Sequence, residues 1–195
     1  MNKQDILDYF EEHASTWDAE MIRSDAIIGT ILDNARIGAG SRVLDVACGT
    51  GVLIPDYLAR CAAQITAVDI SPEMIKIASG KFPLDNVRFI CGDAETAELG
   101  TDYDAVMIYN AFPHFPEPER IIARLASLLV PGGTLSVAHG MSREQIDRHH
   151  HGSARHVSVG LMPADELSAI FAKYLEVTAA VSDDRMYQIV GTRRI

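Results

Sequence analysis

Residues 43–51 read VLDVACGTG, and this stretch decides the fold. Its first residues are mostly apolar and favour a β-strand, and they run directly into a turn with glycines at positions 49 and 51. Because glycine has no Cβ, such a turn lets a ligand approach the backbone closely. The acidic side chain of Asp45 suits a ligand that carries positive charge and hydroxyl groups better than a bare polyphosphate. The stretch therefore predicts a strand that leads into a ligand-binding turn.

The spacing of the glycines narrows the class of ligand. Dinucleotide-binding folds use G-x-G-x-x-G after their first strand, whereas here Ile54 stands where the third glycine would be. A phosphate-binding P-loop would need a Lys-Ser or Lys-Thr pair, and none follows. Taken alone, a G-x-G pattern is also compatible with an ordinary tight turn. The features further along the chain distinguish a ligand-binding turn from an ordinary one.

Polar residues recur at the ends of the next predicted strands. Residues 64–69 form a β-rich run that ends in an acid, residues 86–95 a run that ends in glycine and acids, and residues 104–110 a run that ends in an amide. Between the first two, Ser71 as N-cap and Pro72 as first helical residue predict a helix. Strands that alternate with helices imply a parallel sheet with right-handed crossovers.

The second half of the chain continues this alternation. A helix with one apolar face is predicted to begin near Pro118, and residues 130–133, VPGG, are predicted to end it. Residues 134–138 then form a fifth strand, and a further helix begins near Pro163. Residues 175–181 and 186–192 are strand-like runs joined by two aspartates.

Taken in order, these motifs resemble the class I, or seven-strand, S-adenosylmethionine-dependent methyltransferases of small-molecule type. The matching segments are VLDVACGTG at 43–51, VDIS at 68–71, CGDAE at 91–95, YDAVMIYNAF at 103–112 and LVPGG at 129–133. The resemblance implies an α/β fold with a Rossmann-like, seven-stranded, mostly parallel sheet. It also implies helices on both faces and a C-terminal antiparallel hairpin built from the last two strands.

The resemblance further implies which residues bind S-adenosylmethionine. The residues around the glycine turn would surround its methionine and ribose portions, and Asn110 would lie under the methionine. Asp69 would bind both ribose hydroxyls, since one carboxylate can accept two hydrogen bonds. Asp93 would accept a hydrogen bond from the adenine amino group. The expected cofactor-binding set is Asp45, Ala47, Cys48, Gly49, Gly51, Asp69, Ile70, Met74, Asp93, Ala94, Glu95 and Asn110.

We expect one methyltransferase domain over residues 1–195, in four segments. These are an N-terminal helical lid (1–38), a cofactor-binding core (39–138), a His-rich insert (139–162) and a C-terminal helix with hairpin (163–195). Residues 4–17 read as an amphipathic helix, and Tyr9 and Trp17 in it are candidates for contacting the methyl acceptor. The alternative is that these aromatic side chains only pack on the core.

Six of the seven histidines fall after the fourth strand or in the insert. They are His114, His139, His149, His150, His151 and His156. One interpretation is a metal site built from His139 and the last four, because imidazole binds several transition metals. Another is acid–base catalysis by His114 or His139, which directly follow or end strands. A third is a solvated polar segment.

Two further hypotheses concern the insert. His149 and His150 are candidates for contacting the acceptor. Arg143, Arg148 and Arg155 would add a local basic patch that attracts an anionic substrate.

Composition bears on partners and location. The net charge is −10, from 17 basic and 27 acidic residues, whereas nucleic-acid-binding proteins usually carry a basic surface. No apolar run is long enough to span a membrane and no secretory signal pattern is present, so a cytoplasmic location is expected.

The three cysteines show neither metal-type nor disulfide-type spacing. The sequence thus favours a small-molecule methyltransferase with S-adenosylmethionine as cofactor. The alternatives are a metal- or metallocofactor-handling methyltransferase and a cofactor-binding subunit without catalysis. The acceptor and the oligomeric state are left open.

Overall fold

A computed structural model describes residues 2–150 and 157–195. Its centre is a seven-stranded sheet with the order β3-β2-β1-β4-β5-β7-β6. The strands are β1 (Arg42–Val46), β2 (Gln64–Asp69), β3 (Val87–Cys91), β4 (Tyr103–Tyr109), β5 (Leu129–His139), β6 (Glu176–Ser182) and β7 (Tyr187–Thr192). Strands β1 to β5 pair in parallel, and β7 runs antiparallel between β5 and β6. The predicted α/β fold, with its mostly parallel sheet and C-terminal hairpin, is confirmed.

Helices cover both faces of this sheet. They are α1 (Lys3–His13), α2 (Trp17–Glu20), α3 (Asp25–Asn34), α4 (Ile54–Ala59), α5 (Pro72–Lys81), α6 (Pro118–Ser127), α7 (Arg143–His150) and α8 (Ala164–Ala172), with a 3₁₀ turn at Phe112–His114. Successive residues of a strand point to opposite faces, so β1 contributes to two buried layers. Leu44 packs in the layer formed by α6, α7 and α8, and Val43 in the layer formed by α3 and α4.

The predicted helix start at Ser71 is present. The Ser71 hydroxyl accepts a hydrogen bond from the Met74 amide at 3.2 Å, and Pro72 is the first residue of α5. A side-chain cap satisfies an amide that the first helical turn leaves without a partner. The cap therefore fixes where the chain turns away from the end of β2, directly beside Asp69.

The structure differs from the sequence prediction at the lid. The helix predicted over residues 4–17 is interrupted, because α1 ends at His13 and α2 begins at Trp17. The Thr16 amide donates to the His13 carbonyl, which closes a tight turn, and Ala14 is buried in the break. The break lets the lid change direction and lay Trp17 over the glycine turn.

Strand β5 begins five residues before the predicted position 134. Residues 130–133 are therefore part of the strand and not a loop that ends the helix. Gly133 lies so close to β4 that a Cβ on it would sit 2.9 Å from the Tyr103 carbonyl oxygen. The register of the β4–β5 pair shifts at the same place, between Tyr103 and Ala105. A glycine in such an irregularity allows a close approach of two backbones, which the sequence pattern alone presents as a turn.

Part of the His-rich insert is packed in the core, unlike the solvated polar segment that was one interpretation of it. Its residues 143–150 form α7, whose Ile146 side chain is buried in the same layer as α6 and α8. Leu161, at the other end of the insert, is buried there too. The side chains of His149 and His150 and all of residues 151–156 lie outside what the structure describes.

Candidate active site

A cavity of about 340 Å³ opens at the carboxyl ends of β1, β2, β4 and β5. In open parallel α/β sheets, ligands bind outside this edge, and cavities of a few hundred cubic ångströms hold small molecules. Residues from the strand ends line one side, and lid residues line the other. The lining includes Lys3, Ile6, Phe10, Trp17, Glu20, Met21, Ile22, Asp45, Asp69, Asp93, Glu95, Tyr109, Asn110, His114, Phe115, His139, Met141 and Ile146.

Asp69 organises two of the loops around the cavity. Its Oδ2 accepts a hydrogen bond from the Gly49 amide at 2.8 Å, and its Oδ1 accepts one from the Ser71 amide at 2.9 Å. Burial raises the pKa of this carboxyl, while the backbone amides oppose the shift. Each carboxylate oxygen can accept a second hydrogen bond, so Asp69 can hold these loops and still bind two hydroxyl groups of a ligand.

The carboxyl of Asp45, in the cavity wall, has a raised pKa. Its side chain is buried at the end of β1, and burial, reinforced by the negative charge of Asp69, raises its pKa to about 8. The Tyr57 hydroxyl opposes this shift. A buried carboxyl of this kind ionises readily only when a positive charge is placed beside it.

Two further acids, Asp93 and Glu95, lie where the lid meets the loop after β3. Lys3 donates to Asp93 Oδ2 at 2.5 Å and to Glu95 Oε2 at 3.0 Å. Asp93 Oδ1 accepts from the Glu95 amide at 2.9 Å. Although burial opposes the effect, the hydrogen bond from Lys3 lowers the pKa of Asp93. The first helix of the lid is thus fastened to the loop after β3.

The lid contacts the other two ligand loops as well. Glu11 Oε1 accepts from the Ser71 hydroxyl at 3.1 Å and from the Glu73 amide at 3.2 Å, at the start of α5. Asp18 accepts from the Thr50 hydroxyl at 2.5 Å and from Lys81 at 2.7 Å. Residues on both lid helices therefore bind the loops that follow β1, β2 and β3, and the lid closes the cavity across all three.

The other end of the cavity is apolar and carries two imidazoles. Phe10 lies edge to face against Trp17 and against His114, with ring centroids 5.4 Å and 5.0 Å away. His114 Nδ1 lies 2.6 Å from the Val157 carbonyl oxygen, which can only accept, so Nδ1 carries the proton of the neutral ring. His139 is buried at the end of β5, 6.1 Å from the Tyr187 ring.

Comparison with known proteins agrees with this geometry. Residues 43–133 match the family model described as a methyltransferase domain. This segment is a methyltransferase domain. The match begins at the first strand and includes the glycine turn, Asp69 and the loop that carries Asp93 and Glu95. The family resemblance drawn from the sequence is confirmed.

Curated methyltransferases are similar to this chain in sequence. The chain is 35% identical over 139 residues to a malonyl-[acyl-carrier protein] O-methyltransferase of Acetivibrio thermocellus, which covers 70% of this chain and 49% of that protein. It is 38% identical over 142 residues to a ubiquinone biosynthesis O-methyltransferase of Xanthomonas oryzae pv. oryzae, which covers 68% of this chain and 59% of that one. The chain spans about half the length of these curated relatives.

Solved structures share the fold. A putative methyltransferase of Haloferax volcanii, solved in complex with the Trm112 methyltransferase activator, superposes with a TM-score of 0.80 at 18% identity, and 98% of this chain and 97% of that one are covered. The magnesium protoporphyrin IX methyltransferase of Synechocystis, solved with bound S-adenosylhomocysteine, gives a TM-score of 0.71 at 18% identity, covering 98% of this chain and 100% of that one.

The structure brings most of the predicted site residues of the methyltransferase domain to one cavity. All expected cofactor-binding residues except Gly51 line it, as do His114, His139 and Trp17. Gly51 does not line the cavity. Its φ of +84° and the 2.9 Å between a Cβ placed on it and a Phe82 ring carbon leave no room for a side chain. Tyr9 is not among the lining residues. It packs on Phe10 and stacks on His13.

Several lining residues were not predicted. Lys3, Phe10 and Met21 come from the lid, and Met141 and Ile146 from the start of the insert. Tyr109 also lines the cavity, directly before the predicted Asn110. For Tyr109 a signal existed, because it is the last residue of a strand whose end was already assigned to the site. For Phe10 a signal also existed, because it lies in the helix predicted to form the lid. Lys3 and Met21 had none, since the helical pattern does not show which further lid residues reach the cavity.

The described residues contain no cluster of three or more His, Cys, Asp or Glu side chains placed to hold a metal ion. Of the metal candidates, the side chain of His139 alone is described, and His151 and His156 lie outside the described residues. Arg143 does not face the cavity. It donates to the Leu161 carbonyl at 2.8 Å and lines a separate cleft.

Proposed function

We propose that this chain transfers a methyl group from S-adenosylmethionine to an unidentified small molecule. The observation that carries the proposal is one cavity, which Asp45, Asp69, Asp93 and Glu95 line from the ends of successive strands and their loops. S-adenosylmethionine supplies, when bound, an activated methyl group on a positively charged sulfur. A cavity lined by acids suits this cation, and among the described lining residues the single Lys or Arg is Lys3.

The residues present fit the cofactor. Asp69 has acceptor capacity left for the two ribose hydroxyls, and Asp45 would ionise beside the positively charged methionine portion. Trp17 Nε1 would lie 3.7 Å from a Cβ placed on Gly49, so the lid and the glycine turn leave only a narrow space. Hydrogen bonds fix Asn110 at both its backbone and its side chain. Its amide donates to the Ala138 carbonyl, and its Oδ1 accepts from the Gly140 amide at 2.9 Å. The protein contributes mainly by aligning acceptor and methyl group and by excluding water.

For the acceptor we propose an uncharged, largely apolar molecule that is methylated on oxygen. The curated relatives named above are O-methyltransferases, and the cavity lining includes seven large aromatic or aliphatic side chains: Phe10, Trp17, Met21, Ile22, Phe115, Met141 and Ile146. His114 is the proposed general base. Because its Nδ1–H is bound to the Val157 carbonyl, Nε2 is the nitrogen that can take the hydroxyl proton.

His139 is the second candidate for proton transfer, and it also lines the cavity. Contacts of His149 and His150 with the acceptor stay a prediction. No helix in the part of the chain that the structure describes is long and apolar enough to cross a membrane. A cytoplasmic location and a single domain over residues 1–195 also stay predictions.

The test combines cofactor binding with turnover on a panel of hydroxylated aromatic and aliphatic acceptors. We expect micromolar-range binding of S-adenosylhomocysteine and methylated product from at least one acceptor. With that acceptor, His114→Gln should lower kcat by roughly 10²- to 10⁴-fold while the affinity for S-adenosylhomocysteine is unchanged. His139→Gln is the matched variant, which separates the two imidazoles.

Three outcomes would contradict the proposal or one of its parts. Tight binding of S-adenosylhomocysteine without product from any acceptor would favour a cofactor-binding subunit. If the protein does not bind S-adenosylhomocysteine at all, S-adenosylmethionine is not its methyl donor. A full rate in His114→Gln together with a loss of rate in His139→Gln would identify His139, and not His114, as the general base.

A further inference from the structure

The lid meets the body of the protein at a small apolar cluster of its own. Ile6, from α1, and Val157, from the insert, are both buried there, and Tyr9 and Phe10 pack against them. Ile6, Tyr9 and Phe10 are three and four residues apart, so they share one face of α1. This cluster is distinct from the two larger ones on the two faces of the sheet. The first helix of the lid therefore docks on Val157.

Val157 also contacts His114, the proposed general base. Its side chain is buried in the lid cluster, and its carbonyl oxygen lies 2.6 Å from His114 Nδ1. The Val159 amide donates to the Pro113 carbonyl at 3.0 Å, so this strip of the insert is bound to the 3₁₀ turn at two points. Phe10 packs edge to face on the imidazole from the lid side. The imidazole is thus held between the insert and α1.

The carbonyl of Val157 determines which nitrogen of the ring can act as the base. Because a carbonyl only accepts, it keeps the proton of the neutral ring on Nδ1 and leaves Nε2 to take a proton. A ring that turns away from this carbonyl loses both its preferred tautomer and its alignment. Since the side chain of the same residue is anchored in the lid cluster, loosening of the cluster also loosens the carbonyl that holds the ring.

We propose that docking of α1 on Val157 completes the general base, and that Ile6 and Val157 are positioning residues for His114. The inference rests on the proposed function, since it concerns the same methyl transfer. In that step the acceptor oxygen bonds to the methyl carbon as the carbon–sulfur bond breaks, and the electron pair of that bond stays on sulfur. The hydroxyl proton passes to His114 Nε2. Efficient proton removal then requires the docked lid, which also excludes water from the cavity.

The acidity of the acceptor separates this role from a general loss of structure. A phenol that is ionised at the assay pH reacts as the phenolate, so its methylation does not depend on how His114 is held. A phenol that is not ionised must lose its proton during the transfer, and a positioned base accelerates that loss. The ratio of kcat for the two acceptors therefore reports on the base. It also cancels any difference in the fraction of folded protein.

The experiment measures kcat at saturating cofactor for a phenolic acceptor from the panel and for its polyfluorinated analogue, whose hydroxyl is ionised at the assay pH. The proteins are wild type, Ile6→Ala, Val157→Ala, His114→Gln and Val157→Ala combined with His114→Gln. Ile6→Leu keeps the volume of the cluster. Leu7→Ala is the matched control, because Leu7 lies on the same helix, is half-buried, and neither belongs to the lid cluster nor lines the cavity.

With the phenol we expect kcat to fall roughly 10- to 100-fold in Ile6→Ala and Val157→Ala, because a small misplacement of a reacting group has effects of this size. With the ionised analogue this fall should be absent. Leu7→Ala and Ile6→Leu should keep the wild-type rate with both acceptors. Val157→Ala added to His114→Gln should cause no further loss, because a positioning residue acts through the base.

Three results would overturn the inference and leave methyl transfer intact. They are an unchanged rate with the phenol in Ile6→Ala and Val157→Ala, equal losses with both acceptors, and a loss in Val157→Ala that adds in full to that of His114→Gln. A full rate in His114→Gln would overturn the inference together with the assignment of the base. Absence of product from every acceptor would overturn the proposed function, and the inference with it.

Discussion

Replacing Asp45 by Asn should change how the stability of the unliganded protein depends on pH. The carboxyl of Asp45 has a pKa of about 8 in the folded chain, because it is buried and faces Asp69. In the unfolded chain an aspartate ionises at about 3.9. Between these two values the folded state holds one proton more than the unfolded state. Stability therefore falls as the pH rises from about 4 to 8.

The size of the effect follows from the linkage relation. One extra proton on the folded state corresponds to a slope of about 1.4 kcal/mol per pH unit in the free energy of unfolding. Between pH 5 and pH 7 this amounts to about 2.7 kcal/mol from Asp45, or a fall of roughly 5–10 °C in the melting temperature for a domain of this size. Asparagine has the same shape as the protonated acid and cannot ionise, so the variant should lack this contribution.

The assay is urea unfolding of the unliganded wild type and Asp45→Asn at pH 5, 6 and 7. Asp69 also has a raised pKa and stays in both proteins, so the informative quantity is the difference between the two slopes. We expect the wild type to lose more stability than the variant over this range. Parallel slopes would refute the reasoning, because they would show that Asp45 does not hold a proton in the folded state.

Much of the sheet and its ligand edge could be predicted because local signals agreed with the global fold. The apolar run before Gly49, the cap at Ser71 and the polar ends of β2 to β4 each follow from short-range chemistry. Parallel strands place such ends at one edge, so Asp69 and Asp93 could be assigned to one site from the sequence alone.

The lid could not be predicted to the same depth. The positions of Lys3 and Phe10 depend on contacts with residues far along the chain, Asp93 and His114, which the helical pattern does not encode. The packing of Ile146 in the core was missed for a similar reason. A polar segment of eight residues needs only one or two buried apolar side chains to dock a helix, and these do not stand out in a histidine-rich stretch.

Two further predictions test the ligand edge directly. Asp69→Ala should weaken S-adenosylhomocysteine binding severely, by 100-fold or more as an order of magnitude, because it removes the proposed ribose acceptor and the bond to the Gly49 amide. Calorimetry should show no change for the exposed Asp85→Ala, and unchanged affinity in Asp69→Ala would place the ribose elsewhere. Gly51→Ala should lower the free energy of unfolding by about 1–3 kcal/mol, since its Cβ would lie 2.9 Å from a Phe82 ring carbon at a φ of +84°. Gly29→Ala meets open space within α3 and should instead be neutral or stabilising by up to about 1 kcal/mol. Equal changes in the free energy of unfolding for the two substitutions would mean that the turn at Gly51 can shift to accept a side chain. The reasoning from its close contact with Phe82 would then be wrong.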